Sequence, residues 1–335
     1  MIISWNTTNK CNMHCEHCYR DSGKGVEGEL STTEGKKLID EIAKAGFKIM
    51  IFSGGEPLLR DDIYELIGYA SKIGLRCVIG SNGTLITLEA AQKLKKAGVM
   101  RAGISLDSLK AKKHDSFRNY SGAWENTIIG IENLKKAGIS FQINTTVMKW
   151  NKDEVKDITD FGANLGASAH HVFFLVPTGR GADLQDQILS KNDYENLIKE
   201  IMLKQAHVNI EIKPTCAPQF VRIAEQNNIK TRFKKGCLAG IKYCIISPTG
   251  NVQPCAYLNF SAGNVKQKSF GEIWRESPIL KKLRTMDYGE KCGTCKYKNK
   301  CGGCRARAAF YNNGDIMASD TWCIYNEYEE NKING

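Results

Sequence analysis

The chain has 335 residues, 47 Lys and Arg against 36 Asp and Glu, a net charge of +11, and 13 cysteines. Its composition, 42% hydrophobic and 25% charged, excludes wholesale disorder, and apolar runs such as Ile49–Phe52 and Val172–Val176 are too short to span a bilayer. The start, Met1-Ile2-Ile3-Ser4-Trp5-Asn6, lacks the basic region and apolar core of a secretory leader, so the expectation is a cytoplasmic protein with no membrane partner. An odd cysteine count excludes a fully paired disulfide framework. Three cysteines lie within eight residues at the front and nine behind residue 215, which points to two separate metal-binding regions.

Short apolar runs alternate with amphipathic stretches through the first 180 residues. Strands are predicted at Ile2–Thr7, Phe47–Ser53, Leu75–Ser81, Met100–Leu106, Ser140–Val147 and His171–Leu175, and helices at Thr33–Ala45, Ile63–Ile73, Leu88–Ala97, Trp124–Ala137 and Glu154–Leu165. Ser31 or Thr32 caps the first helix with Glu34 in its first turn, and Gly46, Gly74, Gly98 and Gly138 stand where helices stop. A sixfold β-then-α beat requires parallel strands with right-handed crossovers, so the fold class is α/β, a partial barrel or an open sheet. Chemistry then belongs at the carboxyl ends of the strands. Behind residue 180 the texture changes. Residues 185–235 read as a helical bridge, 244–255 as a strand, a turn at Thr249-Gly250-Asn251 and a second strand, and 287–323 as a Cys- and Gly-rich segment that needs metal to hold it.

Cys11, Cys15 and Cys18 directly follow the first strand. Three thiolates at spacings of four and three can hold a cubane cluster and leave one iron open for chemistry. Zinc is the alternative on spacing alone, with His14 or His17 as its fourth ligand. Ser53-Gly54-Gly55-Glu56-Pro57 ends the second strand; read alone, its glycines make a tight βα turn.

Together these two motifs resemble the signatures of the radical S-adenosylmethionine (SAM) enzymes. The resemblance implies a partial (βα)6 TIM-type barrel over residues 1–184, a [4Fe–4S] cluster on Cys11, Cys15 and Cys18, and SAM chelated at the open iron. One electron would then cleave SAM to a 5′-deoxyadenosyl radical that abstracts hydrogen from the substrate. It also implies that Ser53, Gly54, Gly55 and Glu56 meet the methionine amine, that His17 lies near adenine, and that Asn82, Ser105 and Asp107 at strand ends contact ribose and carboxylate. Arg118 would pair with the methionine carboxylate, and Leu175 would pack on adenine. Read singly, Asn82 and Asp107 are equally good turn and cap residues.

The rear pattern, Cys237, Cys255, Cys292, Cys295, Cys301, Cys304 and Cys323, resembles the SPASM extension of that superfamily, here over 236–335, with two residues rather than three between Cys301 and Cys304. By that resemblance Cys292, Cys295, Cys301 and Cys323 hold an outer cluster. Cys237, Cys255 and Cys304 hold an inner one, with Cys216 or Cys244 as its fourth ligand. Cys244 starts a predicted strand while Cys216 lies on a kinked loop, which favours Cys216. The expectation is three [4Fe–4S] clusters, with Cys77 and Cys244 left over. Lys291, Lys296, Lys298, Lys300, Arg305 and Arg307 crowd the outer set and can offset cluster charge.

Trp5-Asn6-Thr7-Thr8-Asn9, Phe173-Phe174-Leu175-Val176-Pro177-Thr178-Gly179-Arg180-Gly181 and Cys301-Gly302-Gly303-Cys304-Arg305-Ala306-Arg307-Ala308 resemble the NirJ-like, alternative haem-biosynthesis branch. That branch removes acetate side chains from siroheme-derived tetrapyrroles or decarboxylates their propionates. An iron-tetrapyrrole would place its carboxylates on basic residues, for which Arg180, Arg222, Arg232 and Lys213 are candidates. Maturation of a tungsten cofactor or of a ribosomal peptide is the alternative, and a first strand starting at residue 2 leaves no room for an N-terminal peptide-binding domain. A non-catalytic multi-cluster electron carrier is the remote one. The basic surface suits an acidic ferredoxin or flavodoxin as electron donor rather than nucleic acid.

Overall fold

The computed structural model describes residues 1–325; residues 326–335 of the expected rear domain lie outside them. Alternate residues of a strand face opposite sides. In the first strand, Ile2–Asn6 (β1), that rule sends Ile3 and Trp5 into the core with the helices and leaves Ser4 and Asn6 on the other face. The same division continues through Ile49–Ser53 (β2), Arg76–Ser81 (β3), Val99–Ser105 (β4), Ser140–Val147 (β5) and Ala169–Phe174 (β6). Met50, Phe52, Cys77, Ile79, Ala102, Ile104, Phe141 and Ile143 belong to the helix-side core.

The helices of that layer are Thr32–Lys44 (α1), Ile63–Lys72 (α2), Leu88–Ala97 (α3), Ala111–Arg118 (α4), Ala123–Lys136 (α5) and Val155–Leu165 (α6). Ser31 caps α1 in a full capping box with Glu34. Helix α4 is absent from the sequence reading. Its buried face is His114, Phe117 and Arg118, and polar buried residues leave no apolar period to detect.

Strands β1 to β6 run parallel in sequence order. The sheet extends beyond them on both sides. Residues 185–235 hold two helices, Lys191–Lys204 (α7) and Phe220–Gln226 (α8), and also a strand, Glu211–Thr215 (β7), that pairs with β6. Pro214 disguises that strand in the sequence, and it is tolerated because β7 is an edge. The predicted strand–turn–strand is Tyr243–Ile246 (β8) and Asn251–Gln253 (β9), followed by Gly263–Asn264 (β10). Strand β8 also pairs in parallel with β1, so the rear segment is joined to the barrel through the sheet itself. Among the described residues no helix is long and apolar enough to cross a membrane.

Helix α1 approaches the sheet through Gly35, where a Cβ would lie 2.7 Å from Trp5 Cη2 and 3.0 Å from Leu66 Cδ2. Gly35→Val should therefore lower stability by about 1–3 kcal/mol through overpacking, measured as a drop in thermal midpoint of the reconstituted protein.

Candidate active site and cluster-binding regions

The front cysteine loop is held by the turn that ends β2. Thr7 donates to the Ser53 carbonyl through its backbone N (2.7 Å) and Oγ1 (2.9 Å). Gly55 N donates to Thr8 O at 2.9 Å and Glu56 N to Lys10 O at 2.8 Å. A Cβ on Gly54 would lie 2.5 Å from Thr8 O; one on Gly55 would lie 2.8 Å from Asn9 O and closer still to Lys10 O. The sequence reading assigns this space to the methionine ammonium; in the structure its first occupant is the chain's own loop, one residue before Cys11.

Glu56 is fully buried and accepts from Ser81 Oγ (3.0 Å), Asn82 N (2.9 Å) and Leu58 N (3.3 Å). Burial still pushes its carboxyl up to about 7, so a cation brought beside it would favour the ionised form. Asn82 donates to Asn12 Oδ1 at 2.8 Å and accepts from Thr84, whose Oγ1 also accepts from Asn12. Its side chain thus ties the end of β3 to the cysteine loop.

Cys11, Cys15 and Cys18 gather against Met13, Tyr120 and Ala123. Each sulfur accepts a hydrogen bond from nitrogen: Cys11 from Met13 N (3.5 Å), Cys18 from Ser22 N (3.4 Å) and Cys15 from Arg118 Nη1 (3.8 Å). Arg118 also pairs with Asp107, its Nε 2.7 Å from Oδ2. Burial alone would raise the Asp107 carboxyl, but Arg118 and the neighbouring imidazoles hold it below its usual value. The guanidinium expected to meet SAM is thus seated between Asp107 and a front cysteine. His17 stacks on Phe117 with centroids 4.2 Å apart, and burial lowers its pKa to about 3. Leu175 packs with Phe117 and Met148. Ser105, at the end of β4, lies in register with Asn144. Arg180 clamps the loop from outside, donating to Cys15 O (2.8 Å), Ser22 O (3.1 Å) and Asp21 (2.6 Å). Phe117 and Asn12 carry no sequence signal as site residues, because each acts through the loop's fold, and Arg180, a sequence candidate for substrate carboxylates, is spent on this clamp instead.

At the rear the cysteines separate into two groups. Cys216 follows β7 with φ +59°; burial raises its thiol well above the usual value, and the charges of Cys304, Cys255 and Cys237 act on it too. Cys292, Cys295, Cys301 and Cys323 line one cavity with Lys291, Tyr297 and Lys298. Between the groups, Gly302 and Gly303 both have positive φ (73° and 57°), which glycine alone adopts without strain. That double left-handed step sends Cys301 to one group and Cys304 to the other despite the shortened spacing. Cys244 is buried in β8 and feels Arg284 but no cysteine, and Cys77 is core.

The two groups share a buried brace. Asp320 accepts from Arg307 Nη2 (2.7 Å), Cys304 N (2.8 Å) and Gln219 Nε2 (2.8 Å), and Arg307 also donates to Cys216 O at 3.0 Å. Burial alone would raise the Asp320 carboxyl; Arg307 holds it down at about 2. Arg305 donates to Ile316 O and Ala318 O. Both arginines, read from sequence as countercharge to the outer cluster, are interior.

The family model described as "Radical SAM superfamily" matches residues 5–162, and that described as "Iron-sulfur cluster-binding domain", SPASM, matches 237–305. AdoMet-dependent heme synthase of Oleidesulfovibrio alaskensis is 45% identical over 338 residues, covering 97% of this chain and 87% of that one. The chain belongs to the radical SAM superfamily. Fe-coproporphyrin III synthase of Methanosarcina barkeri is 30% identical over 363 residues, covering 98% of this chain and 88% of that one. Streptococcus suis SuiB, in its crystal structure with S-adenosylmethionine, shares the fold at TM-score 0.77 and 17% identity, over 97% of this chain and 77% of that one.

A radical SAM enzyme with a SPASM domain takes SAM, a [4Fe–4S] cluster in its barrel and auxiliary iron–sulfur in its C-terminal region. The residues present fit those groups. Burial pushes the Cys11 thiol up to about 11 and raises Cys15, so free thiolates would not persist there at neutral pH. Iron supplies the positive charge that keeps them deprotonated, and the N–H groups already point at the sulfurs.

Gly55→Ala should displace the cysteine loop of this radical SAM enzyme. Reconstituted protein is expected to lose the barrel cluster and at least ten-fold of its 5′-deoxyadenosine formation while keeping auxiliary iron, read by iron analysis and product chromatography. Asp320→Ala leaves Arg307 buried and unpaired and should cost about 3–5 kcal/mol, measured by denaturant unfolding.

Proposed function

We propose that this radical SAM enzyme is a haem synthase that converts propionate side chains of an iron-coproporphyrin to vinyl groups. The observation that carries this reading is the 45% identity, over nearly all of both chains, to an AdoMet-dependent heme synthase, against 30% to an Fe-coproporphyrin III synthase. When bound, SAM and the reduced barrel cluster would supply the radical that takes one hydrogen atom from the propionate carbon next to the ring. Loss of carbon dioxide and formation of the vinyl double bond would release one electron, for which an auxiliary cluster held by the rear cysteines would be a chemically suited acceptor.

The chain's own residues do the rest. Cys11, Cys15 and Cys18 hold the barrel cluster, with Arg118 balancing the charge at Cys15. Glu56, buried and poised near neutrality, receives the methionine ammonium beside Ser53, Gly54 and Gly55. The His17–Phe117 stack and Leu175 receive adenine, and Asn82, Ser105 and Asp107 border the ribose and carboxylate. Cys216, Cys237, Cys255 and Cys304 hold an inner auxiliary cluster, and Cys292, Cys295, Cys301 and Cys323 an outer one. Lys291 and Lys298 at the outer cavity suit an acidic ferredoxin or flavodoxin as reductant.

Anaerobically reconstituted protein should hold about twelve irons. Reduced and given SAM, it should yield 5′-deoxyadenosine and convert iron-coproporphyrin III to vinyl products by mass spectrometry. Conversion of didecarboxysiroheme instead would assign the acetate-removing step and overturn this reading. Cys216→Ala should change the auxiliary-cluster electron paramagnetic resonance (EPR) signal and lower the iron content, whereas Cys244→Ala should leave both as in the parent.

A further inference from the structure

The inner face of the sheet, opposite the helices, carries Ile51, Val78 and Phe173 and also one polar row. Ser105, Asn144, His171 and Lys213 stand in one register row across β4, β5, β6 and β7. The row starts at the strand end beside the barrel site and finishes three residues before Cys216. Gly80 and Gly103 share this face; a Cβ on Gly103 would meet Asn144 Nδ2 at 2.8 Å. A Cβ on Gly80 would meet Ser53 Oγ at 3.2 Å, so neighbouring polar side chains pack into the space above both glycines.

Gln142 Nε2 lies 2.9 Å from Asn144 Oδ1 and 3.0 Å from His171 Nδ1. With the amide donating to Nδ1, the imidazole carries its proton on Nε2. That atom is buried and has no hydrogen-bond partner; Glu211 Oε1 lies 3.5 Å away outside hydrogen-bond geometry. Burial first, and then the charges of Lys213, Arg101 and Arg232, lower the pKa of His171 to about 3. Three cations thus surround one neutral donor.

Their pairing differs. Arg232 pairs with Glu211, Arg222 with Glu195 at 2.6 Å, and Arg180 is spent on Asp21 and the cysteine loop. Lys213 is half-buried over the Phe233 ring at 5.0 Å, and burial lowers its pKa, with only Cys216 opposing. Arg101 on β4 is half-buried, and its one charged neighbour is Arg76. Among the described residues neither Lys213 nor Arg101 meets a carboxylate. A desolvated cation without a counter-charge is unfavourable, and an anion placed beside it removes the cost.

We infer that Lys213 and Arg101, with the unpartnered His171 Nε2, form a subsite on the inner face of the barrel that holds a carboxylate side chain of the substrate and selects a polycarboxylate macrocycle. The inference rests on the function proposed above. It singles out Lys213 from the four cations read in the sequence and adds Arg101, which that reading does not contain. Both are specificity-determining residues: they seat a carboxylate on the inner face, between the SAM site and the inner cysteine group.

The test is equilibrium binding of iron-coproporphyrin III and of its tetramethyl ester to the reconstituted holoenzyme, followed by Soret absorbance. Parent enzyme should bind the acid at least ten-fold more tightly than the ester. Lys213→Gln and Arg101→Gln should each weaken acid binding about ten-fold, roughly 1.4 kcal/mol, and leave ester binding unchanged; Lys213→Arg should restore it. Iron content and SAM cleavage without substrate should match the parent, which establishes that the variants fold. Unchanged acid affinity in both variants overturns the subsite, as does equal weakening of acid and ester. A shifted auxiliary EPR signal with unchanged affinity also overturns it and makes Lys213 a cluster residue. Tight, charge-dependent binding by parent enzyme that forms no vinyl product sinks the proposed function and leaves the carboxylate subsite standing.

Discussion

The backbone of Gly54-Gly55 lies against the backbone of Thr8-Asn9-Lys10, and the site depends on that contact. No side chain fits between them, and the two hydrogen bonds across the contact, Gly55 N to Thr8 O and Glu56 N to Lys10 O, align two strand ends at once. The loop that carries Cys11, Cys15 and Cys18 starts from this contact. Glu56 then continues it sideways to Ser81 and Asn82 on β3, and Asn82 returns to Asn12 within the loop. Three strand ends and the cysteine loop thus move as one unit, which is what a cluster that must present one open iron to a small cofactor requires.

A second constraint acts at the opposite side. Strands β7 and β8 are far apart in the order of the sheet, with β1 to β6 between them. Yet Cys216 after β7 meets Cys237 and Cys255, which flank β8 and β9, in one buried cluster with Cys304. The sheet therefore curves until its two ends come within reach of a shared set of thiols. Arg307 and Asp320 brace that seam by tying Cys216 O, Cys304 N and Gln219 together in the interior. Such a pair contributes geometry more than net stability, since desolvating both charges offsets much of their attraction. A metal cluster held at the seam would add its own folding free energy to a segment with little apolar core.

Between these two ends lies the inner face of the sheet. It carries Ser4, Gly80, Arg101, Gly103, Asn144, His171 and Lys213 beside Ile51, Val78 and Phe173, while the helix-facing residues on the same strands are mostly large and apolar. The contrast follows from the alternation of side chains along each strand. It leaves a face reached from the SAM end and from the inner cysteine group alike, where one substrate can be near both.

The sequence by itself determined the βα beat, since amphipathic periodicity and caps are local; five of the six helices of the barrel layer, among them α1 with its Ser31–Glu34 box, follow from it. It also marked the candidate metal-ligating cysteines, at the front by their spacing along one loop and at the rear by a family resemblance. Tertiary structure alone decided the rest. Strand β7 is hidden by Pro214, and α4 by a buried face made of His114 and Arg118, residues whose partners, Asp107 and Cys15, lie on other elements. The pairing of β8 with β1 joins residues some 240 apart, a separation that no local pattern encodes. The charges changed meaning most. Arg180 and Arg222, candidates for substrate carboxylates in the sequence, and Arg305 and Arg307, read there as cluster countercharge, are committed in the fold, whereas among the described residues Lys213 and Arg101 meet no carboxylate, because a charge's role is set by what the folded chain places beside it.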